Sequence, residues 1–172
     1  MQNKKLAKES LTIMTEMVLP NDTNTLNNLM GGRLLYMMDV VAAIAAQKHS
    51  NCLVVTASVD NVSFAEPIPL GSIVTLEAQV TRVFNTSMEV HINVYADDYP
   101  NKRRFSTNQA FYTFVTLDST TKLPCKSPEI EPETDMEKEL FAGALRRRQL
   151  RLVLAGKMNA KDADELKSIF LN

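Results

Sequence analysis

Histidine and cysteine are scarce in this chain of 172 residues, which has two of each. Cys52 and Cys125 lie far apart without a CxxC spacing, and with so few imidazoles neither a disulfide framework nor a zinc site has enough ligands. A cytoplasmic protein without metal or cofactor is the simpler expectation. Excess charge is missing too. Lys and Arg number 19 against 20 Asp and Glu. That balance gives no general electrostatic reason to expect nucleic acid or an acidic membrane as partner, so any anionic ligand has to be held locally. No signal-peptide core follows Lys4, Lys5 and Lys8, because Thr12, Thr15 and Glu16 interrupt the apolar residues there. The local signatures of several enzyme classes are absent as well: GxSxG of serine hydrolases, HExxH of zincins, GxxxxGK(S/T) of P-loop NTPases and GxGxxG of dinucleotide enzymes.

What remains is a length suited to one domain with an appended element, and a clear order of elements. Leu11 to Leu19 reads as a strand that stops at Pro20. Asn21 to Asn28 holds four asparagines, an aspartate and two threonines, residues that bond their own backbone, so a long ordered loop is expected. Gly31-Gly32 opens a helix in which Leu34 to Ala46 carries one charged residue, Asp39, and which closes on Gln47-Lys48-His49. The apolar run is too short to cross a bilayer, so protein must surround the helix. Strands supply the wrapping: Leu53 to Phe64, an alternating segment around Val74 to Val80, another around Met88 to Val94, and one from about Ser106 to Leu117. Pro67, Pro69 and Gly71 separate the first pair and Phe84-Asn85-Thr86-Ser87 turns the second, which makes them antiparallel neighbours. A capping box, Thr134 with Glu137, then starts a helix over Met136 to Leu154, and Asn159 and Asp162 begin a shorter one. The expected class is α+β, with residues 1–130 as the helix-and-sheet domain and 131–172 as a helical extension.

Asp39 is the first candidate for chemistry, because a carboxylate on a nearly all-apolar helix is costly to desolvate unless it is paired, protonated or facing a wet cleft. A reactive group and a structural carboxylate paired with a neighbouring element both meet that condition. The second candidate is Gly31-Gly32, which leaves first-turn N–H groups open to a developing oxyanion, or simply permits a tight turn. Asn24 is the third, either a polariser of a carbonyl or water, or a turn former. Asp39 lies eight positions beyond Gly31, about 12 Å along the axis. One chain therefore does not bring both to the same small atom without an intervening ligand or a second subunit. Lys102-Arg103-Arg104 suits an anion site or a solvated turn equally. Arg146, Arg147, Arg148 and Arg151 read as a solvent face or as intersubunit ion pairs. His49 at a helix end and His91 on a polar strand face read as surface or capping residues.

The residues Pro20-Asn21-Asp22-Thr23-Asn24, Leu29-Met30-Gly31-Gly32, Met37-Met38-Asp39 and Val54-Val55-Thr56, followed by Val62-Ser63-Phe64 ahead of Pro67 and Gly71, resemble in order the acyl-CoA hydrolases of the hotdog superfamily. The likeness is to the branch of bacterial short- and medium-chain acyl-CoA thioesterases and cytosolic acyl-CoA hydrolases, over roughly residues 11 to 117. It implies a hotdog fold, a homodimer with active sites at its interface, and commonly a trimer of such dimers. Asp39 then matches the catalytic carboxylate and Asn24 the asparagine facing it from the opposite subunit. Gly32 matches the backbone N–H donor beside Gly31, and Thr56 and Ser63, on the strand beside the helix, match positions near the acyl-pantetheine channel. Arg103 and Arg104 become candidates for the CoA phosphates. The implied reaction is thioester hydrolysis of acyl-CoA to carboxylic acid and CoA, with Asp39 as general base or as nucleophile. Two rivals carry the same fold. Asp22-Thr23-Asn24-Thr25-Leu26-Asn27 echoes a hydratase pattern, but Asn27 stands where that pattern has histidine. A non-catalytic acyl-CoA sensor would have no use for Asp39.

Overall fold

The computed structural model describes residues 4–60 and 62–168. The ends of the expected 1–130 and 131–172 divisions, at 1–3 and 169–172, lie outside the described residues. Among the described residues seven strands and three α-helices follow in order: β1 (Lys4–Leu6), β2 (Thr12–Met17), α1 (Gly31–Ser50), β3 (Leu53–Asp60), β4 (Ile73–Phe84), β5 (Ser87–Asp98), β6 (Arg103–Leu117), β7 (Glu129–Glu131), α2 (Asp135–Leu154) and α3 (Asp164–Lys167). Five strands form an antiparallel sheet in the order β2-β4-β5-β6-β3, and β1 pairs in parallel with β7. The short turns explain the central hairpins. Asn85, at φ 62°, tolerates the left-handed backbone that links β4 to β5, and Lys102 at φ 50° precedes β6.

α1 lies across one face of the sheet. Leu34, Met37, Met38, Val41, Ala42, Ala45 and Ala46, at helical spacing, are all buried against the inward positions of the strands, among them Leu76, Val90, Ile92 and Phe114. Small alanines on this stripe allow the helix axis close to the strands. Its far end is fastened by charge: Lys5 Nζ donates to the carbonyls of Lys48 (3.1 Å) and His49 (2.8 Å), unpaired C-terminal acceptors with the negative end of the helix dipole behind them. The sheet covers one side of α1 rather than all of it. Tyr36 and Ile44, on the opposite side, remain 59% and 42% exposed, so the expected complete wrapping does not come from a single chain.

The other face of the sheet is covered by α2, and this corrects three sequence readings. Glu89 and His91, outward polar residues of an alternating strand by pattern, are both buried. Glu89 receives a two-pronged ion pair from Arg147 (3.0 and 2.8 Å) and a hydrogen bond from the Thr81 hydroxyl at 2.6 Å. The Arg147 guanidinium also sits 3.8 Å from the centroid of the Phe111 ring, which His91 meets at 4.8 Å. Arg151 pairs with Asp60 at 2.6 Å, and Arg148 lies over Phe84. Arg147 and Arg151 thus pair within their own chain, where a solvent face or intersubunit pairing had been expected. Burial, assisted by the Arg147 charge, pushes the pKa of His91 down. His49 is also buried rather than superficial. Its Nε2 meets the Pro128 carbonyl at 2.8 Å, and burial lowers its pKa as well. The capping box is present as expected, Thr134 Oγ1 accepting from the Glu137 N–H.

Candidate active site

The loop before α1 is built by its asparagines and clamped by an arginine. Asn24 Oδ1 accepts from the N–H groups of Leu26 (2.9 Å) and Asn28 (3.2 Å), while its Nδ2 has no partner among the described residues. The turn-making role is therefore real, and it leaves the side chain with donors to offer. Arg33, in the first turn of α1, reaches back to Glu16 Oε2 (3.1 Å) and approaches Asp22 Oδ1 at 2.9 Å, an ion pair rather than a directed hydrogen bond. The Asp22 carbonyl in turn accepts from the Met30 N–H at 2.8 Å. These contacts hold Asn24 against the start of the helix.

That start is open. Met30 precedes α1 without a side-chain cap, so no side chain of the cap residue occupies the N–H groups of Gly31 and Gly32. A Cβ placed on Gly31 would meet the Phe64 ring at 3.0 Å, whereas one on Gly32 would meet nothing within 4 Å. Gly31 is small because Phe64 packs on it; Gly32 stands clear for a ligand to approach. Asn24 and Gly31 line one cavity of about 380 Å³, together with Leu34, Phe64 and Ile68.

Asp39 is half-buried two turns further along α1, and Thr56 on β3 donates its hydroxyl to Asp39 Oδ1 at 2.7 Å. Behind them the Tyr112 hydroxyl, pushed up to about 12 by burial and then by the Asp39 charge, stays protonated and points at the Leu35 carbonyl 3.4 Å away. Asp39 and Thr56 are absent from the walls of the Asn24 cavity. The chain thus brings the candidates together as two separate pairs.

The remaining candidates lie elsewhere. Ser63 is beyond the end of β3 rather than on the strand; its carbonyl accepts from Asn108 Nδ2, and it lines a different cavity of about 490 Å³ with Asn93, Ser106 and Gln109. Arg103 is paired with Glu66 and Arg104 with Asp97 at 3.5 Å, each stacked on an aromatic ring, Phe105 or Tyr95. Among the described residues no cluster of His, Cys, Asp and Glu is arranged for a metal ion, and no helix is long and apolar enough to cross a membrane. Sequence reasoning gave no role to Phe64, which it quoted only within a motif, and passed over Arg33 and Tyr112. Tyr112 had a legible signal, a hydroxyl on the inward face between Ala110 and Phe114. The role of Arg33 depends on Glu16, which only the folded chain places beside it.

A long helix laid on a five-stranded antiparallel sheet, with its N-terminus free and a carboxylate in its middle, is the hotdog architecture of thioesterases. Residues 26–100 match the family model described as the thioesterase superfamily. The chain is 40% identical over 143 residues to the uncharacterized acyl-CoA thioester hydrolase YkhA of Bacillus subtilis, covering 83% of each. It is 38% identical to mouse acyl-coenzyme A thioesterase 11 over 83% of its own length, but spans only 24% of that longer protein. Among solved structures, a hexameric acyl-CoA thioesterase superposes with TM-score 0.85 at 38% identity, over 90% of this chain and 98% of that one. The acyl-CoA hydrolase of Staphylococcus aureus, solved with butyryl coenzyme A, coenzyme A and coenzyme A disulfide, gives 0.81 at 35% identity over 90% and 95%. That enzyme has also been solved as Asp→Ala, Asn→Ala and Thr→Ala variants. The chain belongs to the acyl-CoA thioester hydrolases of the thioesterase superfamily.

Proposed function

We propose that the protein hydrolyses acyl-CoA to a carboxylic acid and CoA in a site assembled from two copies of the chain. The observation that carries this reading is the separation of Asp39 and Thr56 from the Asn24 and Gly31 cavity within one chain. β3, the strand beside Asp39, is an edge of the sheet, and it exposes Leu53, Val55 and Val59 (41%, 47% and 44%). A long apolar edge of this kind calls for a partner strand. Pairing there would bring the Asp39 and Thr56 of one subunit toward the Asn24 loop of the other. The residues changed in the S. aureus variants, an asparagine, an aspartate and a threonine, are separated by 15 and 17 residues, as Asn24, Asp39 and Thr56 are. The working unit is then a homodimer, and a trimer of dimers follows the hexameric relative.

In this site the Gly32 N–H, at the positive end of α1, polarises the thioester carbonyl, and Asn24 Nδ2 is a second donor. Asp39, its unbonded oxygen free while Thr56 holds the other, activates a water or attacks the carbonyl to give a mixed anhydride. The CoA thiolate leaves without a strong acid, since thiols ionise near pKa 8.5. Ser63 borders the route of the pantetheine arm, and Arg103 and Arg104 meet CoA phosphates by exchanging Glu66 and Asp97 for them. Residues 1–130 carry the chemistry and 131–172 form a helical extension whose α2 braces the sheet from behind, in a cytoplasmic protein. The test is thiol release from acyl-CoAs of graded chain length. Asp39→Ala is expected to keep fold and oligomer and lose turnover of every substrate, and Asn24→Ala to lose much of it. Undiminished turnover by Asp39→Ala, or no release from any acyl-CoA by the wild type, overturns the reading.

A further inference from the structure

The two cysteines, separated by 73 residues of sequence, face each other with their sulfurs 3.4 Å apart. Both are free and half-buried, accessible to a small molecule. Their backbones are held independently. Cys52 follows the end of α1, and its N–H donates to the Ser50 hydroxyl at 3.2 Å. Cys125 lies in the segment after β6, where its N–H donates to the Thr116 carbonyl (3.0 Å) and its carbonyl accepts from the Thr116 hydroxyl (2.6 Å). A disulfide bond is about 2.05 Å long, so closing it asks for an approach of only about 1.4 Å by two thiols already in contact.

We propose that Cys52 and Cys125 form a dithiol site that takes low-molecular-weight disulfides as its substrate and exchanges them for an intramolecular Cys52–Cys125 bond. The Cys125 thiolate attacks one sulfur of, for example, glutathione disulfide, and the first glutathione thiolate leaves. Cys52, as its thiolate, then attacks Cys125 Sγ and expels the second. The two protein thiols lose two electrons and two protons, and the small disulfide is reduced to two thiols. Burial, and then Cys125 beside it, raises the Cys52 pKa, which suits Cys52 to the second, resolving step. The new bond would fasten the α1–β3 junction to the segment that His49 already holds through the Pro128 carbonyl. It is independent of the proposed hydrolysis and lies at the opposite end of α1 from Gly31 and Gly32.

The test is to incubate the full-length protein with glutathione disulfide and glutathione at graded ratios, quench by alkylation, and map the cysteine peptides by mass spectrometry. A Cys52–Cys125 peptide, one bond per chain with no intermolecular product, is expected from the wild type. Cys52→Ser is expected to stop at a glutathione adduct on Cys125. Closing so long a loop restricts the unfolded chain, so the oxidised protein should melt at least about 5 °C higher than the reduced one. The proposal is overturned if the wild type stays reduced in glutathione disulfide alone, if it accumulates adducts without closing the bond, or if the closed form melts no higher.

Discussion

Arg147→Met removes one half of an ion pair whose other half, Glu89, has no exposure to solvent. The carboxylate would keep only the Thr81 hydroxyl at 2.6 Å. Breaking a buried pair from one side typically costs about 3–5 kcal/mol. Because the Arg147 side chain is 26% exposed, the lower end applies, about 3 kcal/mol. At roughly 2–4 °C per kcal/mol for a chain of this size, that is a fall in Tm of about 6–12 °C. Removing both charges with Glu89→Leu and Arg147→Met should recover most of the loss, to within about 1 kcal/mol of wild type. Urea denaturation of the four proteins at pH 7 closes the cycle. Thiol release per folded molecule should be unchanged, because the pair lies on the sheet face turned away from α1. Additive losses in the double variant, or a single-variant loss below about 1 kcal/mol, would refute the reasoning.

Gly31→Ala places a methyl 3.0 Å from the Phe64 ring; turnover should drop about tenfold through displacement of the ring and the helix start, and Gly31→Ala with Phe64→Leu should recover it in the same assay. Arg33→Lys keeps the charge but not the two-armed reach to Glu16 and Asp22; kcat should fall more than KM changes, with the melting temperature shifted by no more than a few degrees. His49 and His91 both have pKa values lowered by burial, so the unfolded chain binds more protons than the native one once the pH drops below about 6.5. Stability should therefore decline from about pH 6.5 downward, and His49→Gln should flatten part of that decline in urea titrations at pH 7, 6 and 5.

The periodicity of the strands was legible because side chains alternate between two faces, yet it misassigned what the second face meets. Glu89 and His91 carry the pattern of solvent-facing residues, and nothing local to β5 announces that Arg147, 58 residues away, will bury one and stack beside the other. Only the charge inventory held a hint, four arginines within six residues of α2, from Arg146 to Arg151, with few acids beside them. Asp39 was legible for the opposite reason. An isolated carboxylate on an apolar helix is a local anomaly, and the structure resolves its structural side by placing the Thr56 hydroxyl on one oxygen.

The remaining half of that anomaly bears on assembly. α1 leaves Tyr36 and Ile44 uncovered, and β3 leaves a row of apolar side chains on an unpaired edge. Asp39 stands on α1 and Thr56 on β3, so both deficits belong to the two elements that meet at that hydrogen bond. A helix that looked in need of complete wrapping is half wrapped by its own sheet, and the same two elements that lack cover carry Asp39 and Thr56, which stand apart from the cavity of the Asn24 loop. Under the two-copy reading one contact satisfies both deficits, so diluting the protein below its dimer affinity should abolish turnover and expose Tyr36 together. Sedimentation paired with thiol release over a dilution series reads both, and full specific activity in a demonstrated monomer would break the link between them.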